Sequence, residues 1–506
     1  MGMLQFLDWR EVDSASNIVE IFENRAALHP SRMMVSGHNA LISWGDMAKA
    51  VRGFSTSYGE RIKDKDVAVF MSNGAEFLMT YLSVLFCGGR PALFNAAMPR
   101  QSGAKLMEEL RPEMVFADHP LEFQPDAVIV DASMIKGWVE MDADAPNRCT
   151  SGDAPSTYFY SGGTTGSPKR ILYTQAQVLH AGARMQCAWP LEEGEVFLLI
   201  APFSHIYGFL AGICLPLQCG GTSVIPERFH PADVIDLIEK EKVSVLGGGP
   251  PAIYQAIMAA LDLANRDISS LRVCPGGGAG FPADVHRQWY ETTGLRIYEG
   301  YGMTEGAPIS ANNEERGFKI GTVGRAVPGV SLRIVDVETG AREMPAGEAG
   351  EICIKGPHMM RGYCNNAEET ASVVRDGWIH TGDIGTLDEE GFLTITDRKK
   401  EMILHKGFNV FPREVEEALI SHPAVTGVCV VGAPDDRSGE VVIAYVTLKA
   451  GETVSEEDLI EASKQYLVRY KLPSRIEFLD ALPLTPAGKL DRMALKTRAK
   501  QDIVAA

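Results

Sequence analysis

Nowhere in the 506 residues do two cysteines stand as a C-x-x-C pair. The nine cysteines, from Cys87 to Cys429, are scattered and odd in number, which excludes a zinc ribbon or disulfide framework and points to reduced thiols in a cytoplasm. Basic blocks are missing as well. With 48 Lys and Arg against 66 Asp and Glu, the formal net charge is −18, so no surface is built to neutralise a nucleic-acid backbone, and a polyanionic ligand must be gripped locally. No run approaches 18 apolar residues, which excludes an integral membrane helix. Asp8, Arg10, Glu11 and Asp13 occupy the place of a signal core, and Ile503-Val504-Ala505-Ala506 is no peroxisomal address, so the expected compartment is the cytoplasm. Internal repeats and low-complexity segments are absent. What is plentiful is apolar content, 45%, enough for the two or more cores that this length requires.

The most informative stretch is Ser161-Gly162-Gly163-Thr164-Thr165-Gly166-Ser167-Pro168-Lys169. Three glycines allow a tight backbone path with bare N–H groups, Ser161, Thr164 and Thr165 add hydroxyl donors, and Lys169 adds charge, the chemistry of a phosphate cradle. The flanks STYFY (156–160) and RILYT (170–174) read as strands, so the loop joins two strands. A Walker A loop would open a helix, and neither Gly162 nor Gly163 has Gly-Lys at the required distance. A polar hairpin turn is the plainer alternative, but such a turn needs only glycine.

This stretch resembles the signature loop of the adenylate-forming superfamily, which contains acyl-CoA synthetases, adenylation domains and luciferases. Two departures are Arg170, where the family usually has glycine, and Gln175, where histidine is common. The resemblance runs from about residue 17 to 495. It implies an α/β fold: a large N-terminal domain (1–399) of two parallel-type α/β layers plus a β-barrel-like subdomain, and a small mobile α+β C-terminal domain (400–506). The barrel-like part would fall in the β-rich stretches 321–336 and 347–370, read as scaffold.

Other segments match in order. Val196–Ala201 reads as a strand running into Pro202-Phe203-Ser204-His205-Ile206-Tyr207-Gly208. A histidine there is most simply a hydrogen-bonded core residue. The resemblance implies that His205 and Tyr207 line the acyl pocket, and no carboxylate lies between Pro202 and Gly212 to pair with an amino-acid substrate. A strand over Leu271–Cys274 leads into Gly276-Gly277-Gly278-Ala279, where glycines at a strand's carboxyl end permit close ligand approach. Gly277, Gly278 and Ala279 resemble the adenine and acyl-pocket loop. In Gly300-Tyr301-Gly302-Met303-Thr304-Glu305, an aromatic face can stack a base, a hydroxyl can meet phosphate, and a carboxylate can hold Mg²⁺. A capped loop would also read this way. The resemblance assigns adenine to Tyr301, phosphate to Thr304, Mg²⁺ to Glu305, and a roomy, uncharged acid site to Gly300 and Gly302.

Asp383 follows a strand-like run and suits two vicinal hydroxyls, though spacing alone favours a turn aspartate. The resemblance makes it the ribose ligand with Arg398, makes Lys400 the hinge, presents Lys406 and Gly407 to the pantetheine arm, and makes Lys489 the catalytic cation at the α-phosphate. Leu404 departs from the lysine that the resemblance implies at this place in aryl-acid ligases. The implied activity is a two-step, AMP-forming acid–thiol ligase using ATP, Mg²⁺ and coenzyme A on a small carboxylic acid, aryl or medium-chain. A stand-alone enzyme that loads a carrier protein, or a nucleotide-binding ATPase without acyl chemistry, remain the alternatives.

Overall fold

The run Asp66–Met71 (DVAVFM) lacks polar alternation, as expected of a strand covered on both faces, and five of its six residues are buried. In the computed structural model it lies inside a six-stranded sheet ordered Val128–Ile129, Met114–Ala117, Asp66–Met71, Arg90–Asn95, Pro155–Ser161, Lys169–Thr174. The first five strands are parallel, and the last is antiparallel to its neighbour. The described residues are 10, 12, 17–37, 41–149, 151–161, 168–260, 266–406, 408–435, 438–483 and 490–505.

These residues form two compact units. The first comprises 1–332, 354–379 and 391–393; the second comprises 333–353, 380–390 and 394–506.

Besides the six-stranded sheet, the first unit holds a five-stranded sheet ordered Val245–Gly247, Val196–Leu199, Thr222–Ile225, Met33–Gly37, Ile42–Ser43, parallel except for its last pair. Parallel bridges Val245 to Val273 and Gly249 to Gly276 connect it to the strands Cys274–Gly277 and Ile297–Tyr301. Helices Pro231–Glu241, Pro251–Ala260 and Ala283–Thr293 cover one core, where Ile238, Tyr254, Ile257 and Trp289 are fully buried. The two parallel-type layers read from the sequence are therefore present.

Two expectations change. The strand expected over Leu271–Cys274 lies instead at Cys274–Gly277, because parallel pairing with Ile297–Gly300 draws the glycines themselves into the ladder. The β-barrel-like subdomain is an open sheet, ordered Ser331–Val335, Gly350–Lys355, Trp378–Leu387, Val374–Arg375, with Leu393–Arg398 also paired to Trp378–Leu387; among the described residues no closed barrel forms. A β-rich pattern specifies strands, whereas closure depends on tilt and stagger that the pattern does not encode.

The second unit contains a hairpin, Val425–Asp435 with Gly439–Leu448, extended by the parallel strand Arg475–Phe478 and by Ile403–His405 with Phe408–Val410. Helix Pro412–Ile420 opens with Pro412 in its first turn, and Glu414 Oε1 accepts from Phe411 N at 3.0 Å. Its Val415 and Leu419 pack with Val430, Val442 and Leu459 in one core.

Asp397, at the end of Leu393–Arg398, is buried and accepts from Arg398 N (2.7 Å) and Arg413 N (2.8 Å). Burial pushes its carboxyl up to about 6, against those donors and Arg492, which pull it down. A folded-state value above the unfolded one means that the native state holds the extra proton between about pH 4 and 6. Stability from this group is therefore lost as pH rises through that window and is flat above it. Melting temperatures of wild type and Asp397→Asn are expected to converge in slope above pH 6 and to diverge below it, the variant lacking the fall; parallel curves from pH 4 to 6 would contradict the shift.

Candidate active site

Ser161 and Lys169 face each other as the last register pair of the antiparallel strands Pro155–Ser161 and Lys169–Thr174. The expected strand–loop–strand arrangement is thus present at its two ends, while Gly162, Gly163, Thr164, Thr165, Gly166 and Ser167 lie outside the described residues. Ser161 is buried. The outer edge of Lys169–Thr174 pairs with the chain at 363–364: Ile171 bridges Tyr363, and Cys364 N donates to Arg170 O at 2.8 Å. This pairing carries Tyr363 to Lys169. Its ring lies 5.0 Å from Lys169 Nζ, and its hydroxyl donates to Glu305 Oε1 at 2.9 Å. Lys169 Nζ also forms an ion pair with Glu369.

Glu305 is buried, and the loop before it is tied down from the sheet, with Tyr173 Oη donating to Thr304 O at 2.6 Å. Met360 N donates to Glu305 O at 2.8 Å. Burial pushes the Tyr363 phenol far up, and the Glu305 and Glu369 carboxylates push it further, so it stays a protonated donor. Tyr173 is raised for the same reasons, burial first and Glu305 next.

Gly277 and Gly300 are register partners at the carboxyl ends of their parallel strands, where ligands bind open α/β sheets. A Cβ on Gly277 would stand 2.9 Å from Gly300 O, so the strands approach to a distance that only glycine allows. Gly278, Ala279 and Gly302 are exposed beyond them, and Tyr301 and Thr304 are partly exposed.

His205 caps the helix Ile206–Phe209, its Nδ1 accepting from Tyr207 N at 3.2 Å. That helix continues through a π-helical turn, Leu210–Cys214, into Leu215–Cys219, an irregularity often found at functional sites and invisible in the sequence pattern. Close packing fixes the turn: a Cβ on Gly208 would meet Pro202 O at 2.1 Å. His205 is exposed, whereas the Tyr207 hydroxyl is buried with no hydrogen-bond partner among the described residues. Behind this helix His358 is buried at 1% exposure, and its Nε2–H donates to Pro308 O at 2.8 Å. Burial lowers its pKa to about 3, so it remains neutral. It lines a small apolar cavity with Phe159, Tyr173, Gln177, Ile206 and Phe209.

In the second unit, Lys399 N donates to Gly382 O at 2.8 Å, which sets Asp383 beside Arg398, Nε to Oδ1 3.2 Å. Asp383 is buried and Arg398 is half exposed. Lys400 is exposed on the turn that follows. Lys406 takes a left-handed backbone (φ 54°) with its N–H donating to Ser438 O at 2.7 Å. Gly407 and Lys489 lie outside the described residues.

Residues 22–364 match the AMP-binding enzyme family, and residues 414–489 match the AMP-binding enzyme C-terminal domain. The chain belongs to the AMP-binding enzymes.

This AMP-binding enzyme is 40% identical over 340 residues to a long-chain-fatty-acid–CoA ligase of Bacillus subtilis (strain 168), covering 66% of the chain and 60% of that relative. It is 36% identical over 360 residues to a feruloyl-CoA synthase of Amycolatopsis sp, covering 71% of the chain and 72% of the relative. It spans about 60% of the first of these relatives' length. Among solved structures, ATP-bound MatB from Rhodopseudomonas palustris superposes with a TM-score of 0.85 at 26% identity, over 96% of this chain and 99% of that one.

Beside Lys169 and Glu305 the AMP-binding enzyme places two residues that the sequence pattern left in scaffold, Tyr363 and Glu369. Their signal was present only as a tyrosine and an acid in a β-rich stretch, with nothing to say which strand edge they would meet. Replacing Tyr363 by Phe keeps the ring beneath Lys169 and removes the hydroxyl from a buried carboxylate. Because a hydrogen bond to a charged group contributes about 1.5–3 kcal/mol, Tyr363→Phe is expected to lower unfolding stability by about that amount, read from urea transitions. A change within error would mean that Glu305 finds another donor.

Proposed function

We propose that this enzyme activates a carboxylic acid with ATP, forming an acyl-AMP and then an acyl-CoA thioester. The observation that carries the reading is the charge arrangement around Tyr363: an ammonium, Lys169, beside the phosphate loop, and a buried carboxylate, Glu305, on the same side chain. Such a pair suits a metal-bound polyphosphate. The substrate acid is already ionised at neutral pH, so no enzyme nucleophile is needed. Its oxygen attacks the α-phosphorus, the bond to pyrophosphate breaks, and the thiol sulfur then attacks the acyl carbon as AMP leaves.

The protein's part is positioning and charge neutralisation. Ser161 through Lys169 grip phosphate, Thr304 adds a hydroxyl, Tyr301 stacks on adenine with Gly277, Gly278 and Ala279 beneath, and Asp383 with Arg398 holds ribose. Glu305 offers one buried carboxylate, and the described residues contain no cluster of three metal-ligating side chains, which fits Mg²⁺ completed by substrate phosphates and water. Bound there, Mg²⁺ would neutralise phosphate charge. Lys489 bridges the carboxylate and α-phosphate in the first step, and rotation at Lys400 then presents Lys406 and Gly407 to CoA.

An aryl or medium-chain acid is the proposed substrate. The unpartnered Tyr207 hydroxyl supports it, since a buried polar group without a partner calls for one from the ligand. His205, Gly300 and Gly302 would border the same acid. The naming of relatives as CoA ligases and synthases favours free CoA over a carrier-protein thiol.

Supplying a panel of aryl and aliphatic acids, the expected outcome is acid-dependent AMP and pyrophosphate, with thioester only when CoA is present. Acid-independent ADP and phosphate would reject the reading. The two halves separate genetically. Lys489→Ala is expected to slow pyrophosphate exchange by about 100-fold or more yet spare CoA capture of supplied acyl-AMP. Lys400→Pro, which fixes φ at the turn, is expected to do the reverse. Equal loss of both half-reactions in each variant would refute the two-pose mechanism.

A further inference from the structure

Lys169 already has an anion before any nucleotide binds. Its Nζ is paired with the Glu369 carboxylate, and the two side chains are 20% and 33% exposed, so both charges are partly withdrawn from water. The carboxylate is held in place from its own backbone: Asn366 Oδ1 accepts from Glu369 N at 3.1 Å, opening the short helix Ala367–Val373. The next residue ties this helix to the site, with Tyr363 N donating to Thr370 Oγ1 at 2.9 Å. The Tyr363 ring lies under the ammonium at 5.0 Å. Lys169 is therefore enclosed by an acid on a fixed backbone and an aromatic face, both from the same short segment.

We propose that Glu369 is a resident counter-ion that nucleotide phosphate must displace from Lys169, so that this acid sets the enzyme's affinity for MgATP. The inference rests on the reading of Lys169 as a phosphate ligand. An ammonium has three donors, but a carboxylate in contact takes up its positive field, and an incoming phosphate finds the charge already balanced. The pair also keeps a partly buried lysine from standing without a counter-charge in the free enzyme, which explains why an acid is tolerated beside an anion site. Binding then exchanges one anion for another.

The test is equilibrium binding, by calorimetry, of a non-hydrolysable MgATP analogue to the full-length protein, so that no turnover is needed. Glu369→Gln is expected to tighten binding about fivefold, the scale of one contact charge fully screened by water, and Glu369→Asp, which keeps the charge, to stay within about twofold of wild type. Lys169→Met is expected to weaken binding, and in that background Glu369→Gln is expected to change it by less than about twofold, because the exchange has lost its cation. Unchanged or weaker binding by Glu369→Gln alone overturns the proposal, as does equal tightening with and without Lys169, which would mean that the acid repels nucleotide directly. If Lys169→Met binds as wild type does, it is the phosphate reading of Lys169 that fails, a separate outcome.

Discussion

An antiparallel strand at the edge of an otherwise parallel sheet leaves a row of N–H and C=O groups open to pairing, and here the chain at 363–364 pairs with part of that row. The bridge from Ile171 to Tyr363 and the Cys364 N to Arg170 O bond are ordinary ladder contacts, yet they decide what stands beside Lys169. Because the backbone is fixed at 363, one tyrosine reaches both Lys169 and Glu305, and the following helix brings Glu369 onto the lysine. Positive and negative groups are thereby set in place by a strand edge. Without that edge pairing each charged group would sit on its own loop.

A second constraint is close approach. Gly277 lies against Gly300 across parallel strands, and Gly208 lies against Pro202 at the turn that carries His205 and Tyr207. At both places a methyl group would meet a carbonyl oxygen. The strands and the turn are thereby held at distances that only glycine permits, and a π-helical turn follows Phe209. Burial keeps Tyr173, Tyr207 and His358 in their neutral forms, and of these Tyr173 and His358 line the apolar cavity while donating to the Thr304 and Pro308 carbonyls.

The second unit uses buried acids differently. Glu351 gathers Lys399 Nζ at 2.9 Å, His380 Nδ1 at 3.3 Å and the Gly382 N–H at 3.2 Å, which secures the strand that carries Asp383. Asp397 accepts from the backbone of Arg398 and Arg413 on either side of the Lys400 turn. Both ends of that turn are thus anchored while Lys400 itself is exposed.

Local chemistry was legible in the sequence wherever residue type alone constrains it. The runs 156–160 and 170–174 form the two strands expected on either side of 162–167, and Asp383 and Arg398, read as a pair, stand 3.2 Å apart. Period and burial likewise gave the parallel layers and the small α+β unit. What residue order could not supply was contact between distant segments. The ladder register that pulled Cys274–Gly277 into a strand, the openness of the sheet expected to be a barrel, and the arrival of Tyr363 and Glu369 at Lys169 all depend on which edges meet. Side-chain chemistry is written residue by residue, whereas edge pairing is settled by the competition of whole strands for partners, and only the folded chain resolves it.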